Sequence, residues 1–306
     1  MAGKVNEGEL AFHEELRAEA RRLYEDGLSP TDRALDWREA LLEARRDIKA
    51  GLRASNYLTD IAGALRASGV HMLIFRTLMA PPTSQDQFKL ICPIWPKGSE
   101  KSGTSVNAEA AALVAESFAA WRSPGLAPWL SFGRQPKRRE VERLLTTISP
   151  LIAHQRIATA RRNRLAYEQE QELIQRLQTL GWTKLKSRTI DNQASLAFKE
   201  FMHKARFASG ISGRAEVDIA LGLPKTIVLA MECKVTNDET NSVKRINDVV
   251  KKADAWKDHW GNFVQPAALL QGVVKFSDVR RLLEKNVQVF WSHRLDLFET
   301  WLGEQA

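Results

Sequence analysis

The sequence predicts a mixed α/β (α+β) chain: a helical N-terminal region, then a core ordered helix, three-strand mixed sheet, helix, strand. Three observations lead there. The first half spaces Leu, Ala and Trp among many charges, as amphipathic helices do. From about residue 182 the pattern turns to short β-branched runs bounded by turn residues. Those runs alternate with further helical stretches, which is how a sheet with helices packed on it reads.

Taken in order, helices are expected over 9–26, 34–54, 56–67, 106–121 and 137–156. Pro- and Gly-dense loops separate them: APPTSQDQ at 80–87, PIWPKGSEKSG at 93–103 and RSPGLAP at 122–128. A longer helix over 158–180 stops at Gly181, a usual C-terminal stop. A strand is expected over 182–190, an irregular insert over 191–212, and two strands over 214–221 and 226–234 joined by the turn GLPK. A helix (236–259), a strand (267–275), a helix (277–285), a strand (287–291) and a helix (295–302) follow. The boundary falls after Ser149-Pro150, giving a helical region over 1–150 and a second domain over 151–306.

The chain of 306 residues is 44% hydrophobic and 27% charged, which suits a water-soluble protein with a real core. Two cysteines, Cys92 and Cys233, exclude a disulfide framework and a four-cysteine zinc site. The N-terminal twenty residues have no signal-peptide apolar core, and no run approaches the ~20 apolar residues of a membrane span. A reducing, cytoplasmic compartment is the simplest reading. The formal charge is +8. Residues 134–164 hold nine Lys/Arg against Glu140 and Glu142, so that stretch alone supplies +7. Arg134, Lys137, Arg138, Arg139, Arg161, Arg162 and Arg164 form the stripe. The usual fate of charge runs is a solvated helix face, but on so basic a chain the stripe points to a polyanion, most often nucleic acid. PKGSEKSGTS at 96–105 is no phosphate loop, because Thr104 follows Gly103 where a lysine is needed.

The chemistry concentrates in EVDIALGLPKTIVLAMECK, residues 216–234. Residues 227–231 are a continuous apolar run, as in a strand covered on both faces. Glu232 and Lys234 follow it, two apart and therefore on one face. Asp218 lies on the preceding strand. Two carboxylates brought together by a hairpin repel unless a cation joins them, and hard oxygen ligands suit Mg²⁺. A lysine beside them can hold an attacking water, the arrangement for cutting a phosphodiester. On the helix before the hairpin, Glu170 shares a face with Ala166, Leu173, Leu177 and Leu180, which makes it a candidate outer metal ligand.

Asp218 followed by Glu232-Cys233-Lys234 at the end of an apolar strand resembles the PD-(D/E)xK nuclease superfamily. Val217 stands where the proline of that motif usually does. The resemblance implies Asp218 and Glu232 as metal ligands assisted by the Cys233 carbonyl, Lys234 as the catalytic lysine, and Glu170 as a further ligand. The string ECKVTNDETNSVKRIN and the helix ARRNRLAYEQEQE are similar to type II restriction endonucleases of the XamI kind. That family implies a restriction-endonuclease-like core, Mg²⁺-dependent, sequence-specific cleavage of double-stranded DNA to 5′-phosphate and 3′-hydroxyl ends, a prokaryotic cytoplasm and a homodimer on a palindromic site. It places Asn241, Ser242, Lys244 and Arg245 near the DNA backbone, residues 1–150 as the recognition region and 151–306 as the catalytic domain.

Other readings stay open: a structure-specific or repair nuclease on the same core, or an inert DNA-binding protein in which Glu232 merely forms a salt bridge at a strand end. The register tests whether the site exists at all. If GLPK joins Leu221 directly to Thr226, Glu232 faces Ala215 and Asp218 falls on the opposite face. The site therefore requires an odd loop or a bulge.

Overall fold

The computed structural model describes residues 6–101, 103–207 and 215–305. Its helices start where the sequence supplies caps. Helix α1 (Glu7–Asp26) opens on Asn6, whose side chain accepts from the Gly8 N–H, and α2 spans Pro30–Ala54. Helix α3 (Ile61–Ala67) begins five residues later than its spacing predicts. Asn56, Tyr57 and Leu58 lie in the left-handed region, so the backbone turns there and Asp60 then caps the helix at Gly63 N. Next come α4 (Met72–Thr77), α5 (Gln85–Ile91) with a Ser84–Gln87 capping box, α6 (Ala108–Trp121) capped by Asn107, and α7 (Pro128–Ser131). The two helices expected over 137–156 and 158–180 are one helix, α8 (Arg138–Thr179). No breaker separates Arg156 from Ala158, and Pro150 removes one hydrogen bond without ending the helix.

The chain forms two compact units, Pro30–Thr159, and Met1–Ser29 with Ala160–Ala306. The first has its own core, in which Ile48 and Leu52 of α2, Leu65 of α3, Phe75, Trp95, Val114 and Phe118 of α6, and Leu144, Ile148 and Ile152 of α8 are buried. Helix α1, although first in sequence, belongs with the second unit.

That unit is built on a sheet of β1 (Thr183–Leu185), β2 (Thr189–Ile190), β3 (Glu200–Phe207), β4 (Ala215–Gly222), β5 (Val228–Thr236), β6 (Val264–Gly272) and β7 (Gln288–Trp291). Strand order is β1-β3-β4-β5-β6-β7, with β2 also beside β3. β3, β4 and β5 are antiparallel neighbours, while β5, β6 and β7 run parallel. The insert expected over 191–212 therefore contains a strand of the sheet, β3. Residues 208–214, which include the end of that insert and the expected start of β4, lie outside the described residues. One face of the sheet buries Leu173 and Leu177 of α8 with Phe298 and Leu302 of α11 (Leu295–Glu304). The other buries Ile246, Val249 and Ala253 of α9 (Glu239–Trp260), Val279 and Leu282 of α10 (Phe276–Glu284), and Leu16 and Ala20 of α1.

The β4–β5 hairpin has the odd loop that the chemistry requires. Gly222 pairs with Val228, so five residues, 223–227, form the turn. Lys225 and Thr226 both sit at φ 59°, and the Leu223 N–H donates to the Ile227 carbonyl at 2.7 Å. Ile219 then faces Met231 as the last pair of the ladder, so positions 218 and 232 follow it on the two strands.

Candidate active site

Side-chain alternation breaks where β3 and β4 meet the site. Met202 and Ala205 of β3 lie in one apolar cluster, as do Val217 and Ala220 of β4, although residues three apart in a strand should point to opposite faces. In β3 the cause is Lys204, whose φ of 57° turns the chain through the left-handed region. A non-glycine residue there costs roughly 1–2 kcal/mol, and such strain concentrates at functional sites. β4 and β5 also part beyond the Ile219–Met231 pair, and the Asp218 carboxylate fills the opening: its Oδ2 accepts from the Cys233 N–H at 2.8 Å.

Around that opening, three carboxylates and three ammonium groups interleave. Lys204 Nζ donates to Glu170 Oε1 and to Asp218 Oδ1, each at 2.6 Å. Lys234 Nζ lies 2.6 Å from Glu232 Oε2 and 3.4 Å from Asp218 Oδ2. Lys252, from α9, reaches Glu232 Oε2 at 2.8 Å and the Glu216 carbonyl at 2.8 Å. His203 Nε2 is 2.7 Å from Glu170 Oε2. Glu170 comes from the stripe of α8 that also buries Gln169, Leu173, Ile174 and Leu177, while Leu180 at its end is exposed.

Burial acts against each charge, and the partners decide the outcome. For Asp218, burial would raise the carboxyl, but Lys234, Lys204 and the Cys233 N–H outweigh it and hold it below its usual range. Burial also opposes the Lys204 ammonium, yet Asp218 and Glu170 keep it charged to higher pH than a free lysine. Glu232 and Lys234 pull in different senses. Burial pushes Glu232 up despite both lysines, whereas Lys234 is itself raised, burial being outweighed by Glu232 and Asp218. Glu232 is 0% exposed, so desolvation dominates its balance, while Lys234 retains a little contact with water.

The donor set fits a hard divalent cation in part. Glu232 Oε1 is buried and has no hydrogen-bond partner, which is costly unless something positive approaches it. Asp218 and Glu232 share Lys234 as a partner, at 3.4 and 2.6 Å. The Cys233 thiol is buried in the apolar cluster beneath the sheet, so only its carbonyl could be a ligand. Both Glu170 oxygens already bond His203 and Lys204. No cluster of three or more His, Cys, Asp or Glu spaced for a metal occurs among the described residues. Lysine ammoniums stand between the carboxylates instead.

Beside the site opens a cleft of about 800 Å³ lined by Arg162, Lys234, Lys244, Arg245, Lys251 and Lys275, with Asn241 and a single acid, Asp248. Burial and the neighbouring Arg162 together push the Arg245 guanidinium below its usual range. Ser242 does not join them. It is fully buried and its hydroxyl donates to Asp278 Oδ2 at 2.7 Å, a packing role that leaves nothing for a phosphate. The two units divide the basic stripe. Arg134 forms a two-pronged pair with Glu140 at 2.6 and 2.8 Å, and Lys137, Arg138 and Arg139 are exposed at the start of α8. Arg161 stacks over Tyr24 at 4.7 Å, and Arg164 lies 4.0 Å from Glu168.

The sequence model of the XamI restriction endonuclease family matches residues 56–291. The chain belongs to this family. The Type II restriction enzyme XamI of Xanthomonas campestris pv. amaranthicola is 32% identical over 188 residues, 61% of this chain and 66% of that enzyme, just under two thirds of its length. Protein VC1899 from Vibrio cholerae is 10% identical and covers 91% of this chain and 58% of its own, at a TM-score of 0.31, too distant to bear on fold or function.

In this XamI-family chain three residues at the site escape a reading of the sequence: His203, Lys204 and Lys252. The first two leave a signal in FMHKARF, two adjacent polar residues inside an otherwise apolar strand. Lys252 leaves none, since on α9 it is one lysine among many.

Proposed function

We propose that this chain is a Mg²⁺-dependent, sequence-specific endonuclease of double-stranded DNA, with the PD-(D/E)xK motif formed by Asp218, Glu232 and Lys234. One observation carries the reading: an odd hairpin loop and a local parting of strands bring Asp218 and Glu232 onto Lys234, which itself lines a cationic cleft. Membership of a restriction endonuclease family supports it.

Asp218 and Glu232 would hold the ion with the Cys233 carbonyl, and Glu170 at the periphery. When bound, the ion supplies charge stabilisation and acidity for the attacking water. Lys234 orients that water and donates to a non-bridging phosphate oxygen, so that attack in line leaves 5′-phosphate and 3′-hydroxyl ends. Arg162 and Arg245 bind flanking phosphates: two guanidiniums side by side repel until an anion lies between them. The helical unit, with Lys137, Arg138 and Arg139, grips the duplex, and a two-fold dimer matches a palindromic target.

Digestion of DNA of known sequence in Mg²⁺, with the product ends mapped, tests the reading. Discrete fragments with 5′-phosphates are expected, and Lys234→Ala should slow cleavage by about 10²–10⁴-fold. A smear indicates a nuclease without sequence preference. Cleavage only at branches or lesions indicates a repair enzyme, and binding without cleavage an inert DNA-binding protein.

A further inference from the structure

The cluster of Glu170, Asp218 and Glu232 with Lys204, Lys234 and Lys252 is charge-balanced, three carboxylates against three ammoniums. Lys234 has a place in the reaction and Lys252 is tied to the Glu216 carbonyl as well as to Glu232. Lys204 is different. Its ammonium bridges Glu170 and Asp218 at equal distances of 2.6 Å, a monovalent cation between two carboxylates that are the proposed metal ligands. A left-handed residue in mid-strand aims it there. Its side chain is 38% exposed, so it has room to swing outwards. A divalent ion entering among these oxygens cannot leave an ammonium in contact with both, because like charges a few ångströms apart in a poorly solvated site repel strongly.

We propose that Lys204 is an internal counter-ion: it holds Glu170 and Asp218 together in the metal-free protein and is displaced when a divalent ion binds. The proposal rests on the metal-site reading above. Lys204 is thus a positioning residue that prevents the carboxylates from repelling one another and sets the threshold of ion concentration at which the site loads. Because it competes with the ion, removing its charge strengthens ion binding, whereas a lysine needed only for structure would, on removal, weaken it.

The test uses the full chain without DNA and Ca²⁺ as the probe, by titration calorimetry and by amine acetylation read by mass spectrometry. Lys204→Met is expected to bind Ca²⁺ at least tenfold more tightly than the parent, and Lys204→Arg, which keeps the cation, within threefold. In the parent, Ca²⁺ should raise the acetylation rate of Lys204 at least fivefold while that of Lys285, paired with Asp254 away from the site, is unchanged. The acetylation arm needs no variant and stands if Lys204→Met folds poorly. If Ca²⁺ binding depends on Asp218 but Lys204 labelling does not move, or Lys204→Met binds no more tightly, the counter-ion idea is overturned and the metal site survives. If the parent binds no Ca²⁺, or Asp218→Asn leaves binding intact, the metal-site reading fails and this inference falls with it.

Discussion

Glu232 shows how far one residue can be set against the stability of its fold. It is wholly buried, one of its oxygens has no partner, and burial raises its carboxyl in spite of two lysines. A carboxyl whose folded value lies above its unfolded one costs stability once pH rises past the unfolded value near 4.3, and that cost is complete above the folded value. Glu232→Gln removes the buried charge, while its amide oxygen can still accept from Lys234 or Lys252. The variant is expected to be at least as stable as the parent at pH 7–8 by urea denaturation, within about 1 kcal/mol or above it, while cleavage falls by ~10³-fold or more. A loss of several kcal/mol would mean that the ion pairs, not the desolvation, dominate. At this scale much of the site is legible in the sequence, because Asp218, Glu232 and Lys234 are charges where a strand should be apolar. His203 and Lys204 were not legible, for the same physical reason: they break the alternation that identifies a strand.

Elements show the same conflict between local signal and packing. β3 goes unread because its polar pair interrupts the pattern, although Phe201, Met202, Ala205 and Phe207 are fully buried. α8 reads as two helices parted at residue 157, with a domain boundary at Ser149-Pro150, yet the helix is continuous: Ile148 and Ile152 on either side of Pro150 are held in the core of the first unit, and packing outweighs one lost hydrogen bond. Helix α1 is legible as a helix but not as part of the sheet's unit, since its docking depends on contacts far along the chain. One is a hydrogen bond from Trp291 Nε1 to His13 Nδ1 at 3.2 Å. Burial pushes His13 from 6.5 down to about 4. Between those values the unfolded chain takes up a proton that the folded chain refuses, so stability is intact above pH 6.5 and declines as pH falls towards 4. The loss attributable to His13 is on the order of 3 kcal/mol. His13→Gln keeps an acceptor for Trp291 and should flatten that part of the curve in urea titrations followed by tryptophan fluorescence. An unchanged slope would show that α1 is not held through this residue. On the opposite face of the sheet, Leu177→Ala should cost about 2–5 kcal/mol in the same measurement.

For the whole molecule, the net charge of +8 is less informative than its distribution. The carboxylate–lysine cluster is balanced, and Arg134 is neutralised by Glu140, which that pairing holds down at about 2. The cleft, by contrast, sets six cations against Asp248. Binding of a polyanion should therefore draw on the cleft rather than on every arginine of the basic stripe, a distinction the sequence conceals because it shows charges but not their partners. Each phosphate neutralised contributes about −0.9 to the slope of log Kobs against log salt on duplex DNA. Replacing Arg162 and Arg245 together by Ala should make the slope shallower by about 1.8 and weaken binding on all sequences alike. Arg134→Ala should leave the slope unchanged to within about 0.5, because its guanidinium has no charge to spare for a phosphate. The measurement is fluorescence anisotropy in Ca²⁺ over a salt series, on duplexes with and without the cleaved sequence. Equal changes from the two substitutions would mean that DNA follows the stripe as a simple line of charge. A change confined to Arg162 and Arg245 places the scissile strand in the cleft that Lys234 overlooks.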